Sequence, residues 1–219
     1  MTMTTFRRFH LDKLLSKTSF YGRVLDLGGK KKNKKGKFRP PMDKVESWEY
    51  VNIDAASNPD YICSAESITI KDEIYDIVLM TELLEHLQNP EAALAEASRI
   101  LKKNGRLICT IPFLHPIHGD PHDFQRWTPK KIEIEFKKRG FVIEKLDHMG
   151  GLFAVIYDLL HVALNDASKN RRALKNIIAN KCIMPVTAKI LVWLDSCYAY
   201  KSKTITTGFY VIACKNIEG

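Results

Sequence analysis

The sequence has few cysteines and pairs none of them in a short motif. Its 219 residues include five cysteines, which lie far apart, and none forms a C-x-x-C pair. This spacing excludes a small fold held together by disulfides, because such folds need many closely placed cysteines. We interpret all five as reduced, buried thiols of a cytoplasmic protein: Cys63, Cys109, Cys182, Cys197 and Cys214.

Long apolar runs are also missing. No apolar run is long enough to span a bilayer without a charge, and the first residues lack the apolar core of a signal peptide. The sequence shows no internal repeat and no sign of a second domain. We therefore expect a single cytoplasmic domain over residues 1–219, with a core of ordinary size.

Positive charge is in excess. The net charge of +9 predicts an acidic partner: a nucleic acid, a phosphorylated substrate or an anionic membrane surface. Much of the excess lies in residues 30–39, the lysine loop, which contain six lysines and one arginine. Two interpretations of the lysine loop stay open. It is either a solvated linker or an electrostatic collar that attracts an acidic substrate to a neighbouring pocket.

A buried strand that runs into a glycine turn is the feature around which the chain is organised. The strand is Val24-Leu25-Asp26-Leu27 and the turn is Gly28-Gly29. A turn without side chains lets the backbone approach a ligand closely and offers free N–H groups to an anion. A second strand ends at Asn52-Ile53-Asp54. A carboxylate there, one crossover beyond a glycine turn, is where a nucleoside-binding sheet meets ribose hydroxyls.

Strands and helices alternate in a rhythm typical of a parallel sheet covered on both faces. Seven runs are predicted as strands: 24–27, 49–53, 61–63, 75–80, 106–111, 141–146 and 206–214. Helices are predicted within residues 1–20, from Asn89-Pro90 to about Lys103, and from Thr128-Pro129 to Arg139. The predicted fold class is α/β: a Rossmann-like, seven-stranded, mostly parallel sheet with helices on both faces and a helical insertion, residues 151–203, before the last strand.

The N-terminal helix and the insertion carry two further expectations. In the N-terminal helix, Arg7, Arg8 and Lys13 are placed on the wet face. In the insertion, apolar residues fall at helical spacing within 152–163 and 183–194. One interpretation is a helical subdomain packed on the core. The other is an apolar face that docks on a membrane or an acyl-chain substrate, aided by the positive charge, at the inner face of the membrane.

In these motifs the chain resembles the class I S-adenosylmethionine-dependent methyltransferases. It looks most like the methyltransferase type 11 group, with the ubiquinone-pathway O-methyltransferases and many sugar- and glycan-modifying enzymes. The matching blocks are residues 24–29, 52–54, 64–66, 75–78 with 82–87, and 101–107, and Trp127-Thr128-Pro129 before Gly140-Phe141. The resemblance covers residues 20–150 and the last strand. It implies the fold and the cofactor S-adenosylmethionine, and leaves the acceptor open.

The resemblance also implies cofactor contacts. Gly28 and Gly29 would carry the methionine end of the cofactor, and Asp26 would orient that turn and the amino group. Asp54 would bind both ribose hydroxyls. The family often has aspartate in place of Ser64, and it usually has a further glycine and a helix where this chain has the lysine loop. The remaining implied contacts, to adenine and to the methionine side, are Ser64, Ala65, Glu66 and Thr81.

Two polar elements are expected at the carboxyl ends of the strands, where methyl transfer would take place. One is Glu82-x-x-Glu85-His86, in which one helical turn separates the carboxylates. The other is a loop over residues 112–127. A hydroxyl acceptor must be oriented and must lose its proton, so these elements are candidates for that task. The polar residues of the loop are His115, His118, Asp120, His122 and Asp123.

A divalent cation, Mg²⁺ or Mn²⁺, is one candidate, because a bound cation lowers the pKa of a hydroxyl. The arrangement resembles metal-dependent members of the family, including small-RNA 2′-O-methyltransferases, which pair E-x-x-E-H with a histidine before F-x-W-T. Here the spacing after that histidine is one residue longer, and relatives without metal also carry E-x-x-E-H. The predicted ligands are Glu82, Glu85, His86 and His122.

Without a metal, a loop histidine would act as general base, since its pKa lies near neutrality. His122 is the first choice and His118 the second. Arg126 is a candidate to pair with a substrate phosphate. Trp127 would either stack on a sugar or base, or anchor the loop to the core.

We therefore predict an S-adenosylmethionine-dependent O-methyltransferase. Its expected acceptor is a small-molecule or glycan hydroxyl, on a sugar, nucleotide-sugar or lipid-linked glycan, which indicates polysaccharide biosynthesis. A second hypothesis changes the acceptor to RNA, methylated at a ribose 2′-hydroxyl, although no RNA-binding module is recognisable. A third, of another class, is a cofactor-binding or membrane-docked scaffold without catalysis, suggested by the atypical Gly28-Gly29-Lys30 turn.

Overall fold

The computed structural model describes residues 5–32, 34, 36–119, 122–170, 190–191, 193–195, 197 and 204–216. Its strands are β1 (Arg23–Leu27), β2 (Ser47–Val51), β3 (Tyr75–Thr81), β4 (Leu101–Pro112), β5 (Phe141–His148) and β6 (Gly208–Lys215). Its helices are α1 (Phe6–Lys17), α2 (Pro90–Ile100), α3 (Pro129–Lys138) and α4 (Leu152–Asn170).

The strands form one sheet in the order β2-β1-β3-β4-β6-β5. The first four are parallel to one another, and β6 runs antiparallel to both β4 and β5. The predicted mostly parallel α/β sheet is thus confirmed. Because β1, β3 and β4 are parallel neighbours, the loops that follow them meet at one edge of the sheet. That edge holds the polar elements singled out in the sequence.

The described residues contain six strands, where the sequence predicted seven. The predicted strand at 61–63 makes a single parallel bridge, between Tyr61 and Val51. Ile62, the middle residue, is 65% exposed. A strand needs a row of backbone partners on a neighbour, and this segment finds one partner only.

The boundary between α2 and β4 also differs from the prediction. The helix ends at Ile100, and Asn104-Gly105 lies inside β4. Leu101 pairs with Tyr75 and Arg106 with Ile77, so the intervening residues form an irregularity in the ladder. Pairing of β4 with β3 therefore begins at Leu101, ahead of Asn104-Gly105 in the chain. The Asn-Gly pair lies in a bulge of the strand instead of ending the helix.

Apolar clusters lie on both faces of the sheet. One face packs against α2 and α3, and the other against α1, through Leu11 and Leu15. The N-terminus of α1 rests on α4, where the Asp158 carboxylate accepts from the backbone N–H groups of Phe6 (2.7 Å) and Arg7 (3.2 Å). Within the predicted insertion, α4 is helical as expected, while most of residues 183–194 lie outside the described residues. No helix in the described part of the chain is long and apolar enough to cross a membrane.

Candidate functional site

A cavity of about 460 Å³ opens at the carboxyl ends of β1 and β3. The glycine turn and the end of β3 line one side, and α1 and the lysine loop line the other. Its size falls in the range of small-molecule pockets. The lining includes Asp26 beside the glycine turn, which we call the glycine-turn end, and His86 and His118, which we call the histidine end.

The glycine turn is shaped so tightly that side chains do not fit. Gly28 has φ +79°, and a Cβ there would lie 2.9 Å from Leu83 Cδ1. A Cβ on Gly29 would lie 2.3 Å from the carboxyl carbon of Asp26. The Asn52 amide donates to the carbonyl oxygens of Gly28 (2.9 Å) and Gly29 (3.0 Å) and fixes the turn. Asn52 had no role in the sequence interpretation, although it stands in the quoted motif beside Asp54.

Asp26 presents an unsatisfied carboxylate to this turn. Its Oδ1 atom is buried and makes no hydrogen bond of ordinary geometry among the described residues, although the Trp48 indole N–H is close enough to favour the charged form. Burial raises the pKa of Asp26 to about 7, and the nearby Lys34 ammonium acts in the opposite direction. A buried carboxylate with a free acceptor atom suits a cationic donor such as a ligand ammonium.

Only part of the predicted cofactor set borders the cavity. Thr81, Asp26, Gly28 and Gly29 line it. Asp54 does not: its Oδ1 accepts from the Ala56 backbone N–H at 3.0 Å, and its Oδ2 lies 3.8 Å from Lys30 Nζ. The adenine candidates form a separate turn tied to the start of α2, where a Glu66 oxygen accepts from the Asn89 backbone N–H at 2.7 Å. The residues outside the cavity lining are Asp54, Ser64, Ala65 and Glu66.

The carboxylate of Glu82 is already occupied. It accepts from Thr110 Oγ1 at 3.0 Å and forms an ion pair with Arg7. The Arg7 side chain is only 10% exposed, so its predicted place on the wet face of α1 was wrong. Arg7 falls four residues before Leu11 and eight before Leu15, and this spacing puts it on the buried stripe of the helix.

Glu85 is buried without a partner beside two histidines. It is fully buried, and neither carboxylate oxygen has a hydrogen bond within the described part of the chain. Its Oε1 lies 3.7 Å from His86 Nε2 and 3.9 Å from His118 Nε2. Burial, and then the charge of Glu82, raise the pKa of Glu85 to about 8. An unpaired buried carboxylate is costly, so this position favours a proton or a cation.

Both imidazoles are oriented by acceptors on the far side of their rings. His86 Nδ1 bonds to the carbonyl oxygen of His122. His118 Nδ1 lies 3.3 Å from Asp123 Oδ2. Acceptors at Nδ1 favour the tautomers that present Nε2 lone pairs to Glu85. The ligand atoms of Glu85, His86 and His118 all lie within 4.8 Å of one another, a spacing that allows them to hold one metal ion.

The ring of His122 is directed elsewhere. It is exposed and its centroid lies 5.5 Å from that of Phe124. Among the predicted loop residues, the structure brings His118, and not the His122 side chain, to Glu85 and His86. The loop candidate Asp120 lies outside the described residues.

Arg126 and Trp127 hold the loop in place. Arg126 Nη2 donates to Asp123 Oδ2 at 2.7 Å, and Nη1 donates to the Gln125 carbonyl at 2.8 Å. The guanidinium lowers the pKa of Asp123 to about 2. Trp127 is buried and its Nε1 donates to Gln125 Oε1 at 2.8 Å. These contacts favour the anchoring interpretation of Trp127 and leave Arg126 engaged with the loop itself.

Comparisons with known proteins identify the family and the fold. A family model described as a methyltransferase domain matches residues 6–146. An uncharacterized protein of Methanocaldococcus jannaschii is 30% identical over 90 residues, a match that spans 41% of this chain and 44% of that protein. Among solved structures, the 4+2 cyclase SpnF is similar with a TM-score of 0.57 and 17% identity, over 94% of this chain and 80% of that chain.

A second solved structure is similar over half of its own length. Phosphoethanolamine N-methyltransferase 2 of Haemonchus contortus, in complex with S-adenosylhomocysteine, gives a TM-score of 0.55 at 14% identity, over 96% of this chain and 52% of that chain. At such low identities the likeness shows the fold alone. The two neighbours are named for different reactions, so the shared fold does not determine the acceptor.

Proposed function

Because the chain belongs to the methyltransferase-domain family and is an S-adenosylmethionine-dependent methyltransferase, we propose that it methylates a hydroxyl of a sugar, nucleotide-sugar or lipid-linked glycan. This activity would serve polysaccharide biosynthesis in the cytoplasm. The observation that carries the proposal is the partnerless carboxylate of Glu85, set between the Nε2 atoms of His86 and His118 beside the cavity. A sugar hydroxyl, unlike a neutral amine, must be activated before it attacks a methyl group, and this cluster offers the means.

The glycine-turn end of the cavity is proposed to hold the methionine half of the cofactor. The turn has room for backbone contact only, and Asp26 has a free acceptor atom for the ammonium group. When bound, S-adenosylmethionine supplies an electrophilic methyl group and its own leaving group. Thr81 would contact the same half from the end of β3. Asp54 would exchange its loose contact with Lys30 for the ribose hydroxyls, with Ser64, Ala65 and Glu66 beyond it at adenine.

The histidine end is proposed to hold a divalent cation through Glu85, His86 and His118. This set replaces two of the predicted ligands, because Glu82 is paired with Arg7 and the His122 ring faces Phe124. Two imidazoles with one carboxylate suit Mn²⁺ better than Mg²⁺, which prefers oxygen ligands. A bound cation would lower the pKa of the acceptor hydroxyl.

A metal-free version of the same reaction would use His118 as the general base. Its Nδ1 faces Asp123, so Nε2 is the atom that would accept the proton. Burial lowers the pKa of His118, which keeps the ring neutral and able to accept. The same Nε2 cannot serve as base and ligand at once, so metal binding separates the two versions. The first sequence choice, His122, would need its ring to turn away from Phe124.

The second candidate acceptor is the ribose 2′-hydroxyl of RNA. Lys30 and Lys34 of the lysine loop line the cavity, and Lys31 and Lys32 are exposed next to it. Cations at a pocket entrance attract a phosphate backbone, and such binding weakens steeply as salt is raised. Oligonucleotide binding with a steep salt dependence, together with methyl transfer to RNA, would favour this acceptor over a glycan.

The test is calorimetric titration of the protein with S-adenosylmethionine and S-adenosylhomocysteine, with EDTA or with Mn²⁺ or Mg²⁺. We expect micromolar cofactor affinity, one Mn²⁺ per chain, and methyl transfer to sugar hydroxyls in an acceptor screen. If methyl transfer persists unchanged in EDTA, the metal-dependent version is excluded and His118 remains as the general base. Transfer to amines alone would contradict the proposed hydroxyl acceptor.

A further inference from the structure

The outer face of α4 is apolar and exposed. Leu152, Ile156, Leu159 and Leu160 are between 37% and 51% exposed, and their spacing places them on one stripe of the helix. The opposite stripe, with Ala154 and Tyr157, is fully buried. A soluble surface seldom carries such a continuous stripe of large aliphatic side chains unless it meets a partner.

Two exposed aromatic residues lie on segments that are tied to α4. Phe9 of α1 is 45% exposed and Trp193 is 64% exposed. Their segments are tied to α4: the Phe6 backbone N–H donates to Asp158, and the Gly151 backbone N–H donates to Asp195 at 2.9 Å. We call the combined surface the apolar face; it consists of Phe9, Leu152, Ile156, Leu159, Leu160 and Trp193.

Among the described residues, the exposed charges that follow Phe9 along α1 are positive. The only charged residue of α4 between positions 152 and 163 is Asp158, which is fully buried. Lys13 and Lys17 are exposed and follow Phe9 at four-residue intervals along α1. The nearest acid on that helix, Asp12, is engaged by the backbone N–H of Lys37 at 2.6 Å. Aliphatic and aromatic side chains edged by lysines match an anionic lipid surface, where the apolar groups enter the interface and the lysines meet the headgroups.

We propose that the apolar face docks the protein on an anionic membrane. The same helix that carries Phe9 also lines the catalytic cavity, through Thr5, Arg7 and Arg8. Docking therefore brings the cavity close to the bilayer, where a lipid-linked acceptor would be presented. The docking itself does not depend on the acceptor, because it is measured without turnover.

The test is sedimentation of the whole protein with vesicles of phosphatidylglycerol and phosphatidylcholine, and with phosphatidylcholine alone. We expect binding to the anionic vesicles and weak binding to the neutral ones. Leu159→Glu should lower the vesicle partition coefficient at least tenfold, because it removes a leucine from the interface and adds a repelled charge. The matched control is Val142→Glu, at a 54% exposed position on β5 outside the apolar face, which should bind as the wild type does.

Cofactor affinity serves as the folding check, and it should be the same in all three proteins. Wild type that stays in the supernatant with both vesicle types would overturn the proposal. Equal partitioning of Leu159→Glu and wild type would overturn it as well. So would a dimer of the wild type that Leu159→Glu converts to a monomer without any vesicle binding, since the face would then join two copies of this chain.

Discussion

The two ends of the cavity each carry a buried carboxylate with a raised pKa, yet they are built differently. Asp26, at the glycine-turn end, has Lys34 and Arg8 as neighbours, and both favour its charged form. Glu85, at the histidine end, lies beside the carboxylate of Glu82, which opposes its charge more strongly than either Arg7 or Arg126 favours it. In the described residues Glu85 forms no ion pair with a lysine or arginine.

The two ends therefore differ in how they would accept a cationic ligand. At the glycine-turn end the chain supplies its own cations, Lys34 and Arg8, and a ligand ammonium can replace them near Asp26. At the histidine end Glu85 has no hydrogen bond and no ion pair with lysine or arginine among the described residues, while Arg126 and Asp123 hold the surrounding loop. A buried acid without a bonding partner, beside a loop held by an ion pair, suits a cation from outside, whereas the glycine-turn end is a cradle whose own cations a ligand can displace.

Removing the charge of Glu85 should give the largest effect and should act at one end only. We expect Glu85→Gln to lower Mn²⁺ affinity about a hundredfold or more, because it deletes the only anionic ligand. S-adenosylhomocysteine affinity should change less than about threefold. Calorimetry with each ligand measures both. Glu133→Gln, at an exposed site on α3, is the matched control. Equal loss of both affinities would mean that the two ends are not independent.

Asp123→Asn tests the rigidity of the histidine end. Asp123 touches no ligand atom directly, yet it faces His118 Nδ1 and is clamped by Arg126. The amide can turn its N–H toward that nitrogen and favour the wrong tautomer, so Mn²⁺ affinity should fall about ten- to hundredfold. Asp147→Asn, at a half-exposed position on β5, should leave Mn²⁺ affinity unchanged. If the wild type binds Mn²⁺ and the Asp123→Asn variant binds it equally well, Asp123 does not position the His118 ring.

Gly28→Ala tests the cradle at the opposite end. The added methyl group meets Leu83 at 2.9 Å and closes the surface that the cofactor would contact. We expect S-adenosylhomocysteine affinity to fall about tenfold with Mn²⁺ affinity retained. Gly140→Ala is the control, since Gly140 has a similar φ of +76° and nothing within 4 Å of the new methyl group. If both alanine variants lose the same cofactor affinity, backbone strain and not contact at the turn is responsible.

Much of the fold was predictable because its signals are local. Apolar runs predicted the parallel strands, and Asn89-Pro90 predicted the start of α2. The family match confirms the methyltransferase domain that the motifs of residues 24–29, 75–78 and 82–87 indicated. The errors arose where a local signal competed with pairing. Asn104-Gly105 resembles a helix end, but the helix already ends at Ile100 because Leu101 pairs with Tyr75 of β3.

The candidate site was less predictable, because it depends on contacts between distant segments. The sequence placed three loop histidines near Glu85, but it did not show which ring faces inward. That choice is set by Arg126 and Asp123, which fold the loop so that His118 faces Glu85 and only the carbonyl of His122 reaches His86. Arg7 was misplaced for a similar reason, since its partner Glu82 lies on another element.

The smallest expected effect is a pH dependence at the glycine-turn end. The pKa of Asp26, about 7 against 3.8 for an ordinary aspartate, is raised in the folded state. The stabilisation linked to its protonated form is therefore complete below pH 3.8 and is lost as the pH rises through about 7. Wild type should lose free energy of unfolding over this interval relative to Asp26→Asn, as measured by urea titration.

Cofactor affinity should change in the opposite direction, because a ligand ammonium prefers the ionised carboxylate. We expect a severalfold rise for wild type between pH 6 and pH 8 and a flat profile for Asp26→Asn. A flat profile in both proteins would mean that Asp26 does not face the cationic part of the ligand.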